Sequence, residues 1–167
     1  VQNFPTVGLI EGRLRENMEE TGMGYSHEVE MIRLAREMDL LTAPYVFNAK
    51  EAISMAEVGA DIIVAHVGTT LSGMIGARSS MSLDEATEAV QRMHDAAKAT
   101  NPEVLVLCHG GPIATPADVS HVIRHSNGLD GFFGASSMER LPVEIAIAET
   151  TATTWSPAAM RRAIRWR

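Results

Sequence analysis

Asp61-Ile62-Ile63-Val64-Ala65-His66-Val67-Gly68 and Val104-Leu105-Val106-Leu107-Cys108-His109-Gly110-Gly111-Pro112 decide the fold. Each is a short apolar run without strict alternation, closed by a histidine with glycine one or two residues on. Runs of this kind are parallel strands covered on both faces, whereas a strand with one wet face alternates apolar and polar residues. Working outward, Val1 to Thr6, Leu41 to Phe47 and Gly131 to Ser136 have the same character. Five strands are therefore expected, over 1–6, 41–47, 61–67, 104–109 and 131–136.

Helical patterns fill the intervals: Gly12 to Glu20, His27 to Met38, Ala49 to Val58, a segment running to about Thr100, Pro116 to His125, and Met138 to Thr150. Ser82 with Glu85 three residues later forms a capping box for the fourth. Thr115 caps the fifth, with Pro116 at the first helical position. Strict β-α alternation implies right-handed crossovers and a parallel sheet. An open doubly wound sheet and a barrel both satisfy that rule. The glycine-rich fingerprint of a dinucleotide-binding turn follows none of the strands, which counts against the open sheet. The expected fold is α/β, a (β/α)8 TIM barrel of which this chain holds the last five β/α units. Residues 1–150 form the C-terminal part of the barrel domain, and 151–167 a tail.

The chain has 167 residues and a net charge of −7, so it lacks the basic stripe that a nucleic-acid partner requires. No apolar run approaches the roughly 20 residues needed to span a bilayer, so no membrane partner is expected. The single cysteine, Cys108, excludes an intrachain disulfide and fits a reducing compartment, with a cytoplasmic location expected. Cys108 reads as packing. Met31, Met38, Met55 and Met93 fall on helices and read as core filler.

Active sites of such barrels sit at the C-terminal ends of the strands, where each expected strand places a polar group. His66 and His109 occupy matching positions on neighbouring strands, and imidazole is suited to proton transfer near neutral pH. A lone strand-end histidine is more often a hydrogen-bonded structural residue, and two in register shift the balance toward chemistry. Metal binding is a third reading, but the strand ends supply no clear carboxylate, so no metal ligands are assigned. Glu20 is a candidate acid beside a solvated-carboxylate reading. Gly110, Gly111, Gly134, Ser136 and Ser137 let backbone N–H groups approach an anion, with Arg140 close by; tight turns and a serine cap are the plain alternative. Asn3, Thr6, Tyr45 and Asn48 complete the expected substrate-binding set. The Glu19 to Tyr25 loop suggests a mobile cover, and Gly68 to Ser80 is long enough for a lid.

Val1-Gln2-Asn3-Phe4-Pro5-Thr6-Val7-Gly8, Glu19-Glu20-Thr21-Gly22-Met23-Gly24-Tyr25, Leu107-Cys108-His109-Gly110-Gly111-Pro112-Ile113 and Gly131-Phe132-Phe133-Gly134-Ala135-Ser136-Ser137-Met138-Glu139-Arg140-Leu141-Pro142 resemble the phosphoenolpyruvate hydrolase-like TIM-barrel family. A related domain forms the C-terminal part of a plant antiviral resistance protein. The resemblance covers about residues 1–150. It implies a hydrolase or lyase acting on a small anionic substrate such as phosphoenolpyruvate or phosphonopyruvate. By analogy with the phosphoenolpyruvate mutase group it also implies a divalent metal such as magnesium, whose acidic strand-end ligands this chain does not display. A non-catalytic barrel that holds a small ligand is the alternative. Members of the family are longer, so the chain reads as the part from the fourth strand onward. Its two sheet edges and uncovered inner face, with Phe4, Val64, Leu107 and Phe133, then need either the missing strands or a second copy in a homo-oligomer.

Overall fold

The computed structural model describes residues 1–78 and 81–154. Four strands form one parallel sheet in sequence order: β1 (Tyr45–Val46), β2 (Ile62–His66), β3 (Leu105–His109) and β4 (Gly131–Phe132). The expected alternation is present. β1 leads through α3 (Ala49–Glu57) to β2, β2 through α4 (Leu83–Thr100) to β3, and β3 through α5 (Pro116–His125) to β4. Before them lie α1 (Gly12–Glu20) and α2 (Ser26–Glu37); after them α6 (Ser136–Glu139) and α7 (Leu141–Thr154). The tail expected over 151–167 supplies the last four residues of α7 and otherwise lies outside the described residues, as do Ser79 and Ser80 of the expected lid. No described helix is long and apolar enough to cross a membrane.

Local signals place the helices well. Ser82 and Glu85 form the reciprocal capping box at the start of α4, and Thr115 with Asp118 forms a second at α5. Asn48 caps α3 by accepting the Glu51 N–H at 3.0 Å. The core lies between one face of the sheet and the helices. Ile63 and Ala65 of β2 with Val67 just after it, and Val106 and Cys108 of β3 with Val104 just before it, meet Ala52 and Met55 of α3, Val90 and Met93 of α4, and Val122 of α5. Met55, Met93 and Cys108 are core as expected, but Met31 and Met38 lie at the surface. Burial pushes the Cys108 thiol up to about 12, so it stays protonated. The alternate residues Tyr45, Val64, His66, Leu107 and His109 take the opposite face, because successive side chains in a strand point to opposite sides. On that face Val64 is fully buried, Leu107 and Phe133 are half-buried, and Phe4 is exposed.

Four expected elements need correction. The first expected strand, 1–6, is not a strand. Its first residue bonds backbone to backbone with the segment before β1, where Ala43 N–H reaches the Val1 carbonyl at 2.8 Å. At the next pairing position the Asn3 amide takes over. It accepts the Tyr45 N–H at 2.7 Å and donates to the Tyr45 carbonyl at 3.1 Å, so a side chain replaces the ladder. The strands expected over 41–47 and 131–136 shrink to two residues each. The last helix is divided at Arg140 into a four-residue turn and α7.

Asn3 therefore holds an edge of the fold. Asn3→Ala leaves the Tyr45 N–H buried without a partner, while the Tyr45 carbonyl keeps the Tyr25 hydroxyl; the expected loss is about 1–3 kcal/mol in urea unfolding. A loss below the ordinary surface range of about 0.5 kcal/mol contradicts that role.

Candidate active site

β2 and β3 run in register from Ile62 opposite Leu105 to His66 opposite His109. That register brings the two imidazoles together at the C-terminal edge of the sheet, with ring centroids 4.7 Å apart and planes at 70°. Each is 6% exposed. Tyr45 stacks on His109 at 5.1 Å and meets His66 edge-on at 4.9 Å. Phe47 flanks His66 at 4.8 Å, and Phe133 flanks His109 at 5.7 Å.

Backbone partners orient the two rings oppositely. The Gly68 N–H donates to His66 Nδ1 at 3.1 Å, so the proton of the neutral ring lies on Nε2. His109 Nδ1 lies 2.7 Å from the Phe133 carbonyl and must donate to it, which leaves a lone pair on Nε2. The pair therefore offers one N–H donor and one basic nitrogen. Burial, then the nearby His109, lowers His66 to about 3. Burial also lowers His109, opposed by the Phe133 carbonyl. Both rings stay neutral through ordinary pH.

The depressed values carry a stability consequence. Unfolded imidazoles bind a proton near pH 6.5, while folded His66 does not until about 3. Stability from this group is complete above 6.5 and is lost as pH falls toward 3, with a slope of about 1.4 kcal/mol per pH unit. Unfolding free energies of the unaltered chain and His66→Gln should diverge over that window. Parallel curves contradict the buried neutral ring.

A cavity of about 250 Å³ opens beside His66, with Glu11, Phe47, Gly68, Thr69 and Met93 in its wall. His109 does not line it; Tyr45 and Phe133 pack against that ring, so the two histidines touch without sharing this cavity. A larger cleft of about 760 Å³ lies alongside, between α1, α2 and α3, and shares the wall residues Glu11 and Phe47. Arg15 crosses it, bonding Glu19 at 2.7 Å, Glu51 at 2.9 Å and the Val7 carbonyl at 2.9 Å.

The other expected site residues are mostly engaged elsewhere. Asn3 is tied to Tyr45, and Thr6 donates to Glu28 at 2.6 Å while accepting from Gly8 at 3.0 Å. Asn48 is a helix cap on the rim of the large cleft. Glu20 faces solvent on α1, within 3.5 Å of Asn17, and lines neither cavity. Gly110 and Gly111 form a close crossing with the loop after β2: the Gly111 N–H donates to the Gly68 carbonyl at 2.6 Å. A Cβ on Gly110 would stand 2.3 Å from that same oxygen. Gly134 closes on Met138, where a Cβ would meet Cγ at 2.3 Å. Ser136 and Ser137 begin a helix of only four residues, and Ser137 borders an apolar cavity with Phe132 and Met138. Arg140 bonds Glu144 at 3.0 Å and the Ser72 carbonyl at 3.2 Å, while Glu144 accepts the Met74 N–H at 2.9 Å. That pair clasps the expected lid to α7. The expected mobile cover over 19–25 is a tight turn, with Met23 N–H bonded to the Met18 carbonyl at 2.8 Å.

Several contributors have no local sequence signature. Glu28 gathers Asn3, Thr6 and the Val7 N–H around one carboxylate. Glu11 and Lys50 enter the cleft walls only because α1 folds against α3. Among the described residues no three or more of His, Cys, Asp and Glu cluster as a metal centre would require. The acidic donor set that magnesium takes is thus not assembled here, and no step is assigned to a metal.

Relatives bear on the same region. The chain is 59% identical over 150 residues to the tomato (Solanum lycopersicum) "ToMV susceptible protein tm-1(GCR26)", covering 90% of this chain and 20% of that protein. It is 58% identical over the same length to the tomato "ToMV resistance protein Tm-1(GCR237)". It is 32% identical over 164 residues to the "Putative transcriptional regulatory protein y4pA" of Sinorhizobium fredii, covering 98% of this chain and 27% of that protein. The chain spans about a fifth of the tomato relatives' length. The model of the phosphoenolpyruvate hydrolase-like family matches residues 1–155, and the chain belongs to that family.

Proposed function

We propose that this chain carries the acid–base centre of an enzyme that moves a proton on a small carbonyl compound bearing an anionic group, the oxo-acid class to which the family name points. The opposed neutral tautomers of His66 and His109, 4.7 Å apart at the C-terminal edge of the sheet, carry this reading. For a substrate seated against the sheet face that bears Tyr45 and Leu107, the face both rings take, and not in the cavity beside His66, the lone pair of His109 Nε2 takes the proton α to the carbonyl. The His66 Nε2–H holds the oxygen on which negative charge develops. A neutral imidazole serves there as an electrophile, as burial and neighbours permit. The proton then returns from His109 to carbon, so the step balances without an oxidant or a second substrate.

The four strands fit consecutive staves of a (β/α)8 barrel, with residues 1–150 as part of one domain. In that reading further strands of a longer protein cover the face that bears Tyr45 and Leu107. A second copy is the alternative cover, and light scattering separates the two. The first test of function is exchange: the chain is incubated in D2O with a panel of oxo acids, and loss of the α-proton NMR signal is followed. Phosphoenolpyruvate and phosphonopyruvate are added as a separate arm, read as pyruvate and phosphate. Turnover in either arm supports an enzyme. Silence in both arms, with ligand-induced shifts of the imidazole signals, favours a ligand-binding domain instead, a reading to which the regulatory name of the bacterial relative lends some weight.

A further inference from the structure

Four of the six histidines are engaged elsewhere in the fold. His66 and His109 form the pair at the sheet edge. His27 Nε2 lies 2.6 Å from the Gly22 carbonyl, and His94 uses both ring nitrogens, 2.9 Å from Asp95 and 3.1 Å from the Gly128 carbonyl. The other two, His121 and His125, stand one turn apart on α5 and line neither cavity of the site. Residues four apart share one face of a helix, and these two rings stack with centroids 4.2 Å apart and planes at 27°. His121 is partly exposed and His125 exposed.

Each ring has one nitrogen taken and one left. His121 Nε2 lies 2.9 Å from the Asp84 carboxylate in the first turn of α4, so that nitrogen carries the proton and donates it. His125 Nδ1 lies 2.8 Å from the His121 carbonyl and must donate to it. The lone pairs of the neutral rings therefore remain on His121 Nδ1 and His125 Nε2, and neither atom is hydrogen-bonded to a described residue. Histidines that bind metal are oriented in this way. The nitrogen turned from the metal donates to a carboxylate or to a backbone carbonyl, which fixes the tautomer and strengthens the other nitrogen as a ligand. Here one ring has each kind of partner.

We propose that His121 and His125 form a surface chelate for a divalent transition-metal ion of the zinc type, with Asp84 as its positioning residue. The two imidazoles supply two nitrogens, and water fills the remaining positions. Asp84 takes the other nitrogen of His121 and is not itself a ligand. The site is therefore a two-ligand chelate, distinct from a cluster of three or more ligands, which does not occur among the described residues. Imidazole nitrogen suits zinc, copper and nickel, whereas magnesium prefers oxygen. The two rings meet only when α5 is helical, so the ion binds the folded chain in preference to the unfolded one and stabilises it. Through His121 and Asp84 it also fastens α5 to the start of α4. The chelate does not depend on the acid–base reading of His66 and His109.

The experiment titrates the full chain, free of any added histidine tag, with zinc chloride and separately with magnesium chloride. Calorimetry reads affinity, and NMR follows the imidazole nitrogens. Zinc is expected to shift His121 Nδ1 and His125 Nε2 first and to raise the melting temperature, while magnesium at the same concentration does neither. Asp84→Asn keeps both ligands and is expected to weaken zinc about tenfold, the lower end of what partners of ligating histidines contribute. His121→Ala and His125→Ala each remove a ligand and are expected to weaken it by more than about 100-fold, beyond that outer-partner range, with circular dichroism unchanged. Zinc that binds the unaltered chain and both alanine variants equally, or that shifts His66 and His109 instead, overturns the chelate. A loss confined to one alanine variant also overturns it, because it marks an adventitious contact with a single ring. Indifference to Asp84→Asn overturns the positioning role of the carboxylate.

Discussion

Replacing His109 by alanine is expected to lower α-proton exchange by about 10²–10⁴-fold, the usual contribution of a positioned general base. The ring is held from two sides, by the Phe133 carbonyl at Nδ1 and by the Tyr45 stack at 5.1 Å. Both contacts are lost with the side chain, so some destabilisation accompanies the change. It should stay within about 1–3 kcal/mol, which leaves the sheet intact by circular dichroism. The ring-sized space left beside Tyr45 offers a second readout. Imidazole added to the His109→Ala protein should restore part of the exchange, which a purely structural role would not allow. His66→Ala is expected to cost less, about 10²–10³-fold, because it removes a hydrogen-bond donor to the developing charge and leaves the base in place. The lowered His109 value moves the acidic limb of the rate profile below the ordinary imidazole range. A folded His109→Ala protein that exchanges protons at the original rate would end the proposal.

Gly111→Ala is expected to be severely damaging. The residue has φ +54°, and an added Cβ would stand 2.4 Å from the Val67 carbonyl oxygen and 3.1 Å from its carbon. Those atoms belong to the backbone and cannot rotate away. Their displacement would pull apart the bond between Gly111 N–H and the Gly68 carbonyl, and with it the loop whose Gly68 N–H orients His66. A loss of about 3–5 kcal/mol is expected, at the upper end for point changes. Exchange activity should fall with it, since both imidazoles adjoin the crossing. Gly22→Ala is the matched control. It too has positive φ, +78°, but nothing lies within 4 Å of its added Cβ. It should lose only the conformational cost of about 1–2 kcal/mol. Urea unfolding of the two variants gives the comparison, and equal losses would mean that the close crossing is not what demands glycine at Gly111.

The histidine pair was legible because it depends on strand register alone. Two apolar runs of similar length, each ending in histidine, align when both are covered by helices on the same face, and His66 does pair with His109. The opposed tautomers were not legible, since they depend on the Gly68 N–H and on the Phe133 carbonyl 24 residues away. Glu20 and Glu11 show the same limit. Glu11 precedes α1 and Glu20 ends it, and only the docking of that helix through Arg15 to Glu51, 36 residues on, turns Glu11 into a cavity wall and leaves Glu20 in solvent.

By itself the sequence determined most of the helices, the caps at Ser82 and Thr115, the β-α alternation from β1 onward and hence the parallel order β1 to β4. These follow from hydrogen bonds and side-chain periodicities that close within a few residues, where propensity and capping act directly. Tertiary structure alone decided that Asn3 replaces a strand by bonding Tyr45 across 42 residues, and that Arg140 bonds the Ser72 carbonyl across 68 residues. It also decided that the turn at Ser136 is too short to act as a dipole. A polar side chain binds whichever partner the folded backbone brings within about 3 Å, and that partner is set by the packing of whole elements, which no local pattern encodes.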